Sequence, residues 1–162
     1  MKEFLLIQFD LHHRLYNNVL QEFTDEESNQ RLYNDTNINH VKYLAGHLLN
    51  SQYGLARAAG VDVVVKWNDL FAVMMQSKAK DNFPYPSIGE IKKEWNDLYQ
   101  PTKNALKRLT DSQLSETPPS PFHQVANSKG ELWAFINHHT AYHIGQIGIL
   151  RRGFGKPPMS YE

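Results

Sequence analysis

The sequence predicts an all-α protein, a four-helix bundle with a long connection between its second and third helices. Three observations carry this. Four long stretches repeat core-type residues at alternating steps of three and four, which lines them along one helix face. Three Ser/Thr-x-x-Glu strings mark helix starts. Turn-rich or proline-rich segments separate the stretches.

The first helix is predicted over residues 2–23, where Leu5, Phe9, His12, Tyr16, Val19 and Phe23 share a face that Leu6 and His13 widen. Thr24-Asp25-Glu26-Glu27 then opens a short extra helix, the threonine hydroxyl and Glu27 each satisfying a free helix-start amide. Asn34-Asp35-Thr36-Asn37 is turn chemistry. The second long helix follows over residues 38–59, closed by Gly60, with His40, Leu44, His47, Ser51, Leu55 and Ala58 on one face.

Residues 61–86 form the long connection. Val61 to Val65 is locally extended, residues 70–75 have the makings of a helical turn, and Pro84-Tyr85-Pro86 stops regular structure. Ser87-Ile88-Gly89-Glu90 starts the third long helix, which carries Ile88, Ile91, Trp95, Leu98, Thr102, Ala105 and Leu109 to its end. Pro101 lies inside it and predicts a kink near residues 97–101. Residues 110–127, with Pro118, Pro119 and Pro121, are expected to be loop. Ser128-Lys129-Gly130-Glu131 opens the last helix, which ends at Arg151-Arg152-Gly153, the two arginines suiting the negative end of its dipole. The segment through Lys156-Pro157-Pro158 should be extended.

Composition narrows the function. A chain of 162 residues suits one domain, 1–162, with a core that needs no staples. Lys plus Arg and Asp plus Glu stand at 17 each with no block of like charge, so the chain lacks the electrostatic footprint of a nucleic-acid or anionic-membrane binder. No stretch approaches the ~18 apolar residues of a membrane span, and Glu3 and Asp10 interrupt any signal-peptide pattern. Cysteine is absent, which fits a soluble, cytoplasmic protein and leaves metal chemistry to histidine and oxygen ligands.

Eight histidines are the enrichment that matters. In the last helix Leu132, Ile136, His139, His143, Gln146 and Leu150 follow the core rhythm, so three successive core positions are polar. Burying imidazoles without partners costs on the order of 1 to 3 kcal/mol each. A metal ion is the simplest compensation, because side chains four apart on a helix lie about 6 Å from one another and two imidazoles then reach one ion at roughly 2.0 to 2.1 Å. The third ligand should come from another helix. His47 qualifies from mid-helix, with small Ser51 one turn on; His40 competes from the first turn, where bundle ends are wet. His12 or His13 is a fourth ligand or outer partner at best, and helix packing is the better reading of both. Gln146 orients a ligand or bonds a neighbouring helix, Tyr142 packs, and Phe9, Trp95, Trp133 and Phe135 belong to the core. Arg151 and Arg152 compensate the helix end before they bind any anion.

The string His139-Thr140-Ala141-Tyr142-His143-Ile144-Gly145-Gln146-Ile147, followed by Leu150-Arg151-Arg152, resembles the last-helix motif of the DinB/YfiT-like metalloenzyme family, and Gly46-His47-Leu48-Leu49 resembles its second-helix motif. The resemblance implies a four-helix bundle of up-down-down-up course, which residues 61–86 are long enough to permit. It implies metal ligands at His47, His139 and His143, and self-association as a homodimer. The middle stretch around Trp67 does not align from the motif.

Three histidine ligands leave at least one position open, the pattern of a catalytic centre. Zinc or nickel leads among the metals that three imidazoles accept. Metalloproteases of the HExxH type need a glutamate directly after the first histidine, and Thr140 stands there, which argues against peptide hydrolysis. An open metal also binds an incoming thiol as thiolate, lowering its pKa and presenting a nucleophile. The family resemblance implies a transferase working in this way on a low-molecular-weight thiol, with a small-molecule substrate and no nucleic-acid or membrane partner. The catalytic residues are not assigned by the sequence. A metal-dependent hydrolase and a non-catalytic bundle held together by its metal or binding a partner are the alternatives.

Overall fold

The computed structural model describes residues 2–71 and 78–162, and its regular structure is helical: seven α-helices and two 3-10 turns, with no strand among the described residues. The helices are α1 (Lys2–Val19), α2 (Asp25–Ser28), α3 (Val41–Ala58), α4 (Asn68–Phe71), α5 (Ile88–Arg108), α6 (Asp111–Ser115) and α7 (Lys129–Gly153). Among the long ones, α1 packs on α5 and α7, and α3 packs on the same two. The apolar stripes meet there as expected. Tyr16, Val19, Tyr43, Leu48, Tyr53, Ile91, Trp95, Ile144 and Ile147 fill one part of the core. Leu5, Phe9, Leu55, Leu106, Trp133 and Ile136 fill the other.

α1 stops at Val19, four residues short of its predicted end, although Leu20 and Phe23 remain buried. The chain turns at Glu22, whose φ is +64°. Arg151 fastens this turn: its guanidinium donates to the Gln21 carbonyl, to the Glu22 carboxylate at 2.7 Å and to the Pro157 carbonyl at 2.6 Å. With 3 % exposure, Arg151 stands in the last turn of α7, where its charge suits the helix end as read, and it also cross-links the end of α1 to the residues after α7.

The capping box at Thr24 and Glu27 forms in both directions (3.1 and 3.0 Å) and opens α2. Asp25 then bridges to Lys42 Nζ (2.8 Å) and to the Ile88 amide (2.8 Å), tying α2 to the starts of α3 and α5. α3 starts at Val41, three residues later than expected, because the His40 imidazole acts as its cap and accepts from the Tyr43 amide at 3.0 Å. His40 is buried, its ring edge-on to Tyr85 at 5.4 Å, so the expectation of a wet bundle end fails at this residue. Gly60, at φ +82°, ends the helix as read.

Residues 61–65 have no regular secondary structure. The helical turn expected over residues 70–75 forms earlier, as α4; residues 72–75 lie outside the described residues. α5 begins at the predicted capping box of Ser87 and Glu90 and spans Pro101 without interruption. The segment at 110–127, expected to be loop, contains α6 and a 3-10 turn at Phe122–Gln124. α6 starts at a capping box in which Thr110 pairs with Gln113. At α7 only half of the predicted box forms: Ser128 Oγ accepts from the Glu131 amide, while the Glu131 carboxylate takes the Asn127 amide instead. Phe9, Trp95 and Trp133 are core, but Phe135 is 43 % exposed, contrary to expectation.

Candidate metal centre

His139 and His143 project from α7 one turn apart, and α3 packs against that face with His47. His47 Nε2 lies 3.0 Å from His139 Nε2, and His143 Nε2 lies 3.0 Å from the same atom. The three rings meet edge to face, with centroids 4.4 to 4.9 Å apart. Among the described residues this is the group of histidine and carboxylate ligand atoms close enough to share an ion, all within 4.8 Å of one another, and no carboxylate belongs to it.

The far nitrogens fix the near ones. His143 Nδ1 lies 2.6 Å from Gln146 Oε1, an atom that only accepts, so Nδ1 carries the proton and Nε2 presents a lone pair. Gln146 is itself oriented by donating to the Tyr142 hydroxyl at 3.2 Å. His47 Nδ1 faces the Phe71 carbonyl at 3.4 Å, which selects the same tautomer. Burial lowers all three pKa values, His47 to about 4 with help from neighbouring His143, and His139 to about 3 with help from His47 and His143. Near neutral pH the three rings are uncharged.

These observations test whether a cation fits. His139 Nε2 holds either one proton or one lone pair, so it cannot form proper hydrogen bonds to two Nε2 lone pairs at once. Three neutral imidazoles aimed at one point are satisfied together by a divalent cation, and a spacing of 3.0 Å suits two ligands of a shared ion at roughly 2.0 to 2.1 Å. The residues fit a metal.

The structure thus brings together His47, His139 and His143 and leaves the other candidates outside. His40 caps α3. His13 stacks on Tyr99 with centroids 3.7 Å apart, and His12 is buried beside Asn137. Gln146 bonds His143 on its own helix and not a neighbouring helix. Tyr142, expected to pack, is 59 % exposed and sets its ring edge-on to His143. Sequence reasoning missed Phe71. The far end of its ring packs against Gly46, where an added Cβ would fall 2.1 Å from the ring, and its carbonyl faces His47. The signal was the glycine preceding His47.

Two measurements follow from this geometry. Gln146→Leu removes the acceptor that holds His143 and should weaken divalent-metal binding by about tenfold, read by competition with a chromophoric chelator; unchanged affinity would dismiss the orienting role. In the metal-free protein the unfolded chain takes up protons at its histidines near pH 6.5, before folded His47 at about 4 and His139 at about 3. The stability these groups contribute is therefore complete above pH 6.5 and lost as pH falls toward 4. His13 and His40, both lowered to about 4, act in the same direction. The urea midpoint of metal-free protein should be lower at pH 5 than at pH 7.5, and a flat profile would contradict the burial of neutral imidazoles.

The fold has a solved counterpart. A conserved protein from Enterococcus faecalis superposes with a TM-score of 0.70 over 96 % of this chain and 98 % of its own, at 17 % identity, which is likeness of fold. No curated protein matches the sequence. The family model of the DinB superfamily matches residues 8–147, a span that takes in α3, the first three-quarters of α7 and all three converging histidines. The chain belongs to the DinB superfamily.

Proposed function

We propose that this protein is a metal-dependent enzyme acting on a small molecule, with His47, His139 and His143 as the ligands of one divalent cation, zinc or nickel. The observation that carries the reading is the convergence of His47 Nε2 and His143 Nε2 on His139 Nε2, each at 3.0 Å, with two of the opposite nitrogens held by acceptors. A bound cation would act as a Lewis acid with at least one position for an exogenous ligand. His47 and His139 are only partly buried, so a small ligand can approach them from solvent.

Thiol transfer is the favoured reaction. With no carboxylate in the ligand group, the centre adds no negative charge of its own and suits an anionic ligand such as a thiolate. Thr140, where an HExxH protease carries its glutamate, donates its hydroxyl to the Ile136 carbonyl and is buried, which speaks against a general base there. The chain has no cysteine, so the thiol comes from outside. The test is elemental analysis joined to a transfer screen with several low-molecular-weight thiols against electrophilic acceptors, with His47→Ala as control. Metal-dependent turnover of a thiol supports the proposal; a metal-loaded protein inert in the screen leaves the hydrolase or the non-catalytic bundle.

The same proposal includes an up-down-down-up course for the long helices. Gln8 meets Asn137 and Glu22 meets Arg151, as two parallel neighbours would. Gln52 meets Trp95 while Lys42 and Ile88 share Asp25, again in parallel sense, and Asp10 meets Lys103 while Asn17 meets Asn96, in antiparallel sense. A homodimer is proposed too, with exposed Phe4, Ile7, Tyr142 and Ile149 as apolar surface for it, to be checked by sedimentation. No helix among the described residues is long and apolar enough to cross a membrane, and a cytoplasmic location accords with the absence of cysteine.

A further inference from the structure

Between the four long helices lies a small enclosed cavity of about 10 Å³, lined in part by His12 of α1, Gln52 of α3, Trp95 of α5, and Asn137 and Thr140 of α7. That volume holds roughly one water molecule. Three of its walls carry buried polar atoms without a protein partner: His12 Nδ1, Gln52 Oε1 and Trp95 Nε1, on residues 8 %, 2 % and 3 % exposed.

The hydrogen-bonding character of each atom is fixed by its other contacts. Gln52 Nε2 donates to the Trp95 carbonyl at 3.2 Å, so Gln52 Oε1 is an acceptor. Asn137 Nδ2 donates to Gln8 Oε1 at 3.2 Å, and the Asn137 side chain also pairs with His12. His12 Nδ1 is left unpartnered, so the pairing with Asn137 uses Nε2, and the ring protonated there offers a lone pair at Nδ1. The Trp95 indole N–H can only donate. One cavity thus presents two acceptors and one donor.

We propose that this cavity is a binding site for a single water molecule, which donates to His12 Nδ1 and Gln52 Oε1 and accepts from Trp95 Nε1. Water offers two donors and two lone pairs, the complement of this set, and a purely apolar occupant would leave all three atoms unsatisfied. The site joins α1, α3 and α5 through one molecule at the level of Thr140, within the turn that separates His139 from His143. Gln8, exposed at the surface, bonds Asn137 and so links the cavity wall to the protein surface through polar side chains.

The experiment is nuclear magnetic resonance of the native protein with ¹⁵N-labelled tryptophan. The Trp95 indole proton, assigned by its loss in Trp95→Phe, should show direct magnetisation transfer from a water resident for longer than the tumbling time of the molecule. In His12→Leu/Gln52→Leu that transfer should disappear while the helical circular dichroism is retained. An indole proton silent to water in the native protein overturns the proposal, as does a transfer that persists undiminished in the folded double variant. Should that variant not fold, a high-resolution crystal structure of the native protein decides: density within hydrogen-bond distance of all three atoms supports the site, and an empty or apolar-filled cavity removes it.

Discussion

Protein purified without chelator should retain about one divalent cation per chain, and His143→Ala should retain none while keeping its helical spectrum. His143 supplies one of three converging Nε2 atoms, and its other nitrogen is the one most firmly held, at 2.6 Å from Gln146 Oε1. Removing it leaves two imidazoles on a site with no carboxylate to replace it. The loss of affinity should exceed the roughly 10- to 100-fold expected for an outer partner such as Gln146. Elemental analysis reads the metal, and thermal melting of the same samples reads the fold. The long helices bury their stripes in cores made of side chains away from the histidines, Tyr16, Leu48, Trp133 and Ile147 among them, so the metal-free variant should still melt cooperatively. A metal-free protein that has lost its fold would make the cation a structural one. A native protein that holds no metal would end both readings.

The long helices were legible because burial follows the periodic stripes closely: Leu5, Phe9, His12, Tyr16, Val19 and Phe23 are all buried, as are Ile88, Ile91, Trp95, Leu98, Thr102 and Ala105. The histidine pair was legible for the same reason, since polar residues in a core phase stand out. Helix ends were less so. His40 takes over the start of α3 through its imidazole, a capping role outside the Ser, Thr, Asp and Asn preference, and α6 begins with a capping box that has glutamine in place of glutamate at its third position. Nothing in the spacing of Arg151 separates a helix-end charge from a buried cross-link; its partners, Gln21, Glu22 and Pro157, arrive from elsewhere in the chain. Phe71 was illegible as a site residue because its contribution is a backbone carbonyl, which any residue carries, placed by a ring that fits only against a glycine.

That last contact makes Gly46→Ala a sharp test. An interior helix glycine replaced by alanine ordinarily gains about 0.5 to 1 kcal/mol. Here the new Cβ would stand 2.1 to 2.6 Å from three atoms of the Phe71 ring, which is 1 % exposed and has no free space to retreat into without leaving the core. Overpacking costs about 1 to 3 kcal/mol, and surrendering the burial of a phenylalanine costs about 1.5 to 3 kcal/mol. The sign should reverse, to a net destabilisation of about 2 kcal/mol in urea unfolding. Metal affinity should fall with it, because the carbonyl that faces His47 Nδ1 moves with Phe71. The double variant separates the clash from any general intolerance of the position: in a Phe71→Ala background, with the ring gone, Gly46→Ala should recover the ordinary gain, so the two substitutions couple by more than their errors. If Gly46→Ala stabilises the otherwise native protein, Phe71 does not pack where the structure puts it, and the orientation of His47 must have another source.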